Sequence, residues 1–204
     1  MFQQEALIRN ESLVRSLSVL CGIAHLREFA QCKLSVLGFH VTSTALIKIV
    51  LDFSPGYALS TLKSLKNNNL QLIVVTWNPC KEYMEDLWDL EPSALLAGEI
   101  LQKQSLAQML PEVMYRVANG QRYRLTPGPS TPLTHGERRV LHCVAQGWPN
   151  SRIAQRLHVE EQSIKNTLRS VYRKLPICNH LQAALYYWGC RSNLSQSRCY
   201  YQQV

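Results

Sequence analysis

The chain has 204 residues, 46% of them hydrophobic, and a formal net charge of +8, which suits one large or two small domains that each bury a core. No apolar stretch is long enough to span a bilayer, and the start MFQQEALIRNE lacks a basic leader followed by an apolar run, so a cytoplasmic protein with no membrane partner is expected. The cysteines, Cys21, Cys32, Cys80, Cys143, Cys178, Cys190 and Cys199, form neither a C-x-x-C pair nor a ligand spacing with histidine, so neither a secreted disulfide framework nor a zinc site is expected.

In chain order, Ala6 to Ile8 is a short apolar run, Leu13 to about Ala30 has helical spacing, and Ser35 to Phe39 reads as a strand. The sector 31–46 yields no regular second helix. IKIVLDF (Ile47 to Phe53) and LQLIVVT (Leu70 to Thr76) are continuous apolar runs of the kind buried on both faces of a parallel sheet. Between them ALSTLKSLK (Ala58 to Lys66) is an amphipathic helix followed by a polar Asn turn. Tyr83 to Leu90 reads as helix, Ala94 to Ala97 as strand, and Ser105 to Asn119 as an amphipathic helix. This alternation predicts an α/β domain, a doubly wound parallel sheet, over residues 1–124.

Residues 125–132, LTPGPSTP, form a Pro/Gly/Ser/Thr linker without apolar periodicity. An all-α unit follows at 133–189, and 190–204 is a polar tail. Thr134 and Glu137 make a capping box, and Val140, Leu141 and Val144 give the helix they start an apolar side up to Gly147. Asn150 is expected to cap a short second helix with Ile153, Ala154 and Leu157 facing inward. Only His158 and Val159 separate it from the third, a helix-turn-helix arrangement. A fourth helix, about Asn179 to Trp188, closes the bundle, with Tyr186, Tyr187 and Trp188 in the core or at a dimer contact.

The third helix carries two faces. Ile164, Leu168, Val171 and Leu175 recur at four- and three-residue steps as a buried stripe, while Gln162, Lys165, Asn166, Arg169 and Arg173 line another side with amides and cations. Charge is placed to match: residues 127–204 hold ten Lys and Arg against three Asp and Glu, and residues 1–126 hold twelve against eleven. The basic excess therefore belongs to the helical half, as expected of a nucleic-acid contact.

L-T-x-x-E at Leu133 to Glu137, V-A-Q-G ending at Gly147, N-x-x-I-A-x-x-L from Asn150 to Leu157, S-I-K-N-x-L from Ser163 to Leu168 and R-K-L ending at Leu175 resemble the DNA-binding domain of the LuxR/NarL/FixJ family of transcription regulators. The resemblance implies that the third helix enters the major groove, with Gln162, Lys165, Asn166 and Arg169 near bases and phosphates and Ser163, Arg173, Ser151 and Arg152 in the same DNA-contacting set. Three positions depart from the family pattern. Glu160 stands where a Ser or Thr cap is usual, Thr167 where a polar contact residue, often His, is common, and Pro176 where Gly is customary.

The first half is similar, more weakly, to the receiver domain of two-component response regulators. VLDFSPGYALSTLKSL resembles the strand ending in the phosphoacceptor Asp, here Asp52; IVVT ends in the matching hydroxyl, Thr76; SLAQMLPEVMYRVANGQRY resembles the last receiver helix. ALIRNESLVRSL lines up with the first strand and helix, placing Arg9 and Asn10 where an acidic pair should bind Mg²⁺, and Ala97 takes the position of the Lys that pairs with the phosphoryl group. Phosphoryl transfer needs that cation to offset charge, so a pseudo-receiver is expected, with an Asp52–Arg9 ion pair replacing the metal site. Cys80, in the loop after Thr76, is read as a bystander thiol rather than a redox sensor.

The chain therefore reads as a sequence-specific, double-stranded-DNA-binding transcription regulator, a homodimer on two half-sites, with no catalytic motif, metal or cofactor. The N-terminal domain is assigned to dimerisation or signal input, and RNA polymerase or another regulator remains a further partner class. Two other readings stand beside it: a conventional Asp-phosphorylated response regulator, and an anti-activator that uses the helix-turn-helix to dock on another regulator.

Overall fold

The computed structural model describes residues 15–66, 68–98, 106–127 and 131–190. They divide into two compact units, one running to Pro79 and again from Leu87 to Gly128, the other made of Cys80–Asp86 and the chain from Pro129 onward.

In the first unit β1 (Ser16–Cys21), β2 (His40–Val41), β3 (Ile47–Asp52), β4 (Gln71–Thr76), β5 (Ala94–Ala97) and β6 (Tyr123–Leu125) form one parallel sheet in the order β2-β1-β3-β4-β5-β6. The helices α1 (Ala24–Val36), α2 (Tyr57–Leu65) and α4 (Leu106–Ala118) come between strands of this unit, while most of α3 (Lys81–Trp88) falls in the second unit. Neighbouring residues of one strand point to opposite faces, and both faces are covered: Ile49 and Val50, Ile73 and Val74, Leu95 and Leu96 are all fully buried. The apolar side of α4, with Leu110, Val113, Met114 and Val117, joins one core with Leu17, Val19, Ile49, Ile73 and Leu96. This is the doubly wound sheet expected from the alternation of elements.

The start of the chain folds differently from its predicted pattern. Ala6 to Ile8, Arg9 and Asn10 lie outside the described residues. The segment expected to be helical from Leu13 to Ala30 instead holds β1, which pairs with β3 from Ser18 opposite Lys48 to Cys21 opposite Leu51. SLSVLC satisfies both periods: Leu13, Leu17 and Leu20 are spaced as on a helix, but Leu17, Val19 and Cys21 also alternate, and these three are the apolar residues of the strand that are buried. Helix α1 then runs through Val36, so the predicted strand at Ser35 to Phe39 is displaced to the two-residue β2.

β6 was not expected, and it takes in Leu125, the first residue of the predicted linker, which pairs with Leu96. The Arg122 guanidinium lies 3.9 Å from the centroid of the Trp88 ring and donates to the carbonyls of Trp88 (3.1 Å) and Pro92 (3.3 Å). That anchors the entry to the strand.

In the second unit α5 (His135–Ala145), α6 (Asn150–Leu157), α7 (Glu161–Lys174) and α8 (His180–Tyr187) pack around Val140, Leu141, Val144, Ile153, Ile164, Leu168, Val171 and Tyr187. The capping box at Thr134 and Glu137 is present. Gly147, at φ 77°, ends α5 with its N–H on Val144 O and the Trp148 N–H on Cys143 O, the two bonds of a Schellman motif. Pro149, not Asn150, is the N-cap of α6, and Asn150 is its first helical residue. Its side chain has another role: Asn150 Oδ1 meets His180 Nε2 at 3.0 Å, and His180 Nδ1 meets the Tyr172 hydroxyl at 3.2 Å, linking the starts of α6 and α8 to α7. His158 adopts the left-handed conformation (φ 55°) in the tight turn before α7. No helix among the described residues is long and apolar enough to cross a membrane.

Candidate nucleic-acid interface

Helix α7 presents the two faces its sequence encodes. Ile164 (2% exposed), Leu168 (3%) and Val171 (0%) are sealed in the bundle, whereas Gln162, Ser163, Lys165, Asn166, Arg169 and Arg173 are all exposed. The buried stripe fixes how the helix is rotated, so the exposed side chains are those that meet any partner.

Those side chains are ordered among themselves. Asn166 Oδ1 accepts from Gln162 Nε2 (3.2 Å) and from Arg169 Nη1 (3.1 Å), which leaves the Asn166 amino group and the rest of the guanidinium fork for an outside acceptor. Lys165 Nζ lies 3.0 Å from Glu161 Oε1 with both side chains near half exposure. An exposed i,i+4 pair of this kind is weak, so a phosphate can displace the carboxylate. The Thr167 hydroxyl is turned back onto the Ser163 carbonyl (2.9 Å). Glu160 is the N-cap of α7 but makes no side-chain cap hydrogen bond.

A buried carboxylate holds α7 against α5. Glu137 accepts from Lys174 Nζ at 2.7 and 2.9 Å, from Ser170 Oγ at 2.7 Å and from the Thr134 N–H at 2.8 Å. Burial alone would raise its pKa, but Lys174, Thr134 and Ser170 together outweigh it and lower the group from 4.5 to about 2. On the other side of α5 the Trp188 indole N–H donates to Ala145 O (2.7 Å) and His142 packs edge-on against Tyr187. Neither Glu137 as a cross-helix anchor nor Trp148 was singled out from the sequence. Helix α6 exposes Ser151 and Arg152, and the Arg152 guanidinium carbon lies 4.4 Å from the centroid of the Trp148 ring.

At the carboxyl ends of the strands in the first unit, Asp52 stands opposite Thr76 and Thr76 opposite Ala97, so the three residues expected to share a receiver site are adjacent. Asp52 is buried; its Oδ2 accepts from Thr76 Oγ1 (2.8 Å) and its Oδ1 from the Ala58 N–H (3.0 Å). The strand beside β3 ends in Cys21, and Gly22 follows it in the chain. A Cβ added to Gly22 would sit 3.0 Å from the Tyr57 ring, and one added to Gly98 would run into the Trp77 indole. Trp77 in turn stacks on Phe53 (centroids 4.3 Å, planes 14° apart). Among the described residues no group of three or more His, Cys, Asp or Glu could hold a metal.

Burial, and next the charge of Glu82, push the Cys80 thiol well above its ordinary range, so it is no thiolate at neutral pH. Cys178 is disulfide-bonded, whereas Cys21, Cys32 and Cys190 are free thiols.

Residues 131–187 match the family described as bacterial regulatory proteins, luxR family. The chain is 29% identical over 160 residues to the nitrate/nitrite response regulator protein NarL of Escherichia coli (strain K12), covering 68% of this chain and 71% of NarL. It is 26% identical over 150 residues to the transcriptional regulatory protein ComA of Bacillus subtilis (strain 168), covering 64% and 67%. Its fold is similar to that of RcsB from Salmonella enterica serovar Typhimurium, solved on promoter rprA with phosphomimetic BeF3-, with a TM-score of 0.53 at 18% identity over 85% of this chain and 98% of RcsB. Residues 131–187 thus match a luxR-family domain, and the parallel sheet that precedes them completes a fold similar to that of RcsB.

Proposed function

We propose that this chain regulates transcription by binding a specific double-stranded DNA sequence, as a homodimer on two half-sites. The observation that carries this reading is the exposed face of α7, where Gln162, Lys165, Asn166 and Arg169 stand opposite a fully buried stripe. Lys165, Arg169 and Arg173 supply phosphate affinity, and Gln162, Lys165 and Asn166 read base edges, since amides and cations match the donor and acceptor pattern of the major groove. Ser163 and Ser151 add hydroxyl contacts to the backbone. Leu181, 69% exposed on α8, suits a helix that meets its own copy. Selecting bound sequences from a random duplex pool is expected to return two related half-sites; a pool that stays random overturns the reading.

The first unit serves dimerisation or signal input without phosphoryl transfer. Both Asp52 oxygens already accept hydrogen bonds, Ala97 offers no cation, and Cys21 and Gly22 offer no carboxylate. Acetyl phosphate with Mg²⁺ is therefore expected to leave Asp52 unmodified in intact-mass and peptide measurements. Stoichiometric labelling at Asp52 would restore the conventional phospho-switched mechanism.

A further inference from the structure

We propose that Trp148 is a positioning residue for DNA binding, and that its indole holds Arg152 as a preset phosphate contact on α6, outside the recognition helix. This rests on the DNA-binding reading above. The chain around Trp148 is rigid: Gly147 before it is the left-handed residue of the Schellman motif, the Trp148 N–H is bonded to Cys143 O (3.2 Å), and Pro149 follows. The indole is half-buried and therefore offers a fixed surface, over which the guanidinium of Arg152, one helical turn later, lies at 4.4 Å.

Arg152 itself is exposed, and among the described residues it makes no hydrogen bond or ion pair. Stacking uses the face of the guanidinium and leaves its in-plane N–H donors unused. The result is a planar cation held in place with its donors available, suited to bidentate capture of a phosphate. In a helix-turn-helix the first helix crosses the DNA backbone while the second enters the groove, so α6 is the element on which a sequence-independent anchor belongs. The indole contributes by restricting a long side chain before DNA arrives, which lessens the ordering that binding must impose.

The test is a double-mutant cycle on the full-length protein and its selected duplex, read as affinity against salt concentration. Arg152→Ala is expected to weaken binding and lower the slope of log affinity against log salt by about 0.9, the loss of one phosphate contact. Trp148→Leu is expected to weaken binding about three- to tenfold in the wild type but not in the Arg152→Ala background, and Trp148→Phe, which keeps an aromatic face, to stay within about twofold of wild type. An equal effect of Trp148→Leu in both backgrounds, or an unchanged slope in Arg152→Ala, overturns the proposal. Should circular dichroism show Trp148→Leu to be unfolded, Arg152→Lys carries the test, since it keeps the charge and loses the planar stack. It is expected to lose affinity about threefold at an unchanged slope, and wild-type affinity would overturn the proposal. Absence of salt-dependent binding by the wild type would instead remove the DNA reading on which it rests.

Discussion

Replacing Lys165 and Arg169 together by alanine is expected to weaken binding to the selected duplex by about 2 to 6 kcal/mol while leaving the thermal midpoint of the fold nearly unchanged. Each residue is exposed on α7, whereas the stripe formed by Ile164, Leu168 and Val171 is buried. Exposed substitutions of this kind shift stability by only about half a kcal/mol. The Lys165 pair with Glu161 is half-exposed and contributes little to the fold, so its loss does not confuse the result. A contact to a base edge is worth about 1 to 3 kcal/mol, and Arg169 also orients Asn166 through its Oδ1. The arginine substitution therefore disturbs two contacts at once. Competition against random duplex separates the two roles: loss of a base reader narrows the gap between specific and non-specific affinity, whereas loss of a phosphate contact lowers both.

Glu137→Ala is expected to lower the stability of the helical unit by about 2 to 3 kcal/mol, read from chemical denaturation. Removing it deprives Lys174 and Ser170 of their acceptor and takes away half of the Thr134 capping box. Breaking a buried pair costs about 3 to 5 kcal/mol, reduced here because the Lys174 side chain is 35% exposed and can regain water. The same group predicts the acid behaviour. Its folded pKa, about 2, lies below the ordinary 4.5, so its contribution is complete above about pH 4.5 and is lost as pH falls toward 2. In wild type, stability should decline across that interval; in Glu137→Ala that part of the decline should be absent. Equal acid slopes would show that the carboxylate does not anchor α7 to α5.

Much of this arrangement follows from local pattern. The continuous apolar runs at Ile47 and Leu72 could only be strands covered on both sides, and the register that places Asp52, Thr76 and Ala97 side by side comes from strands of matched length in one parallel sheet. The helical unit was more legible still, because the capping box, Gly147 and the stripe on α7 each specify a boundary or a rotation. Where two periods fitted the same residues the pattern did not decide. SLSVLC became β1 through its pairing with β3, a long-range choice with no local marker. YRL is too short to announce β6, which depends on Arg122 gripping Trp88 and on the edge of β5. On α7, which side chains are exposed and which are buried was readable from spacing. The network around Glu137 and the stack of Arg152 on Trp148 were not, since they join residues through tertiary packing or a turn rather than along one helical face.

The claim that a cationic face of α7 contacts the DNA backbone and bases is tested most directly by measuring affinity for the selected duplex across a series of salt concentrations. Log affinity is expected to fall linearly with log salt, with a slope of several units that shrinks by about 0.9 for each of Lys165, Arg169 and Arg173 that contacts a phosphate and is replaced by alanine. Binding that ignores salt, or a slope that all three substitutions leave intact, would contradict it.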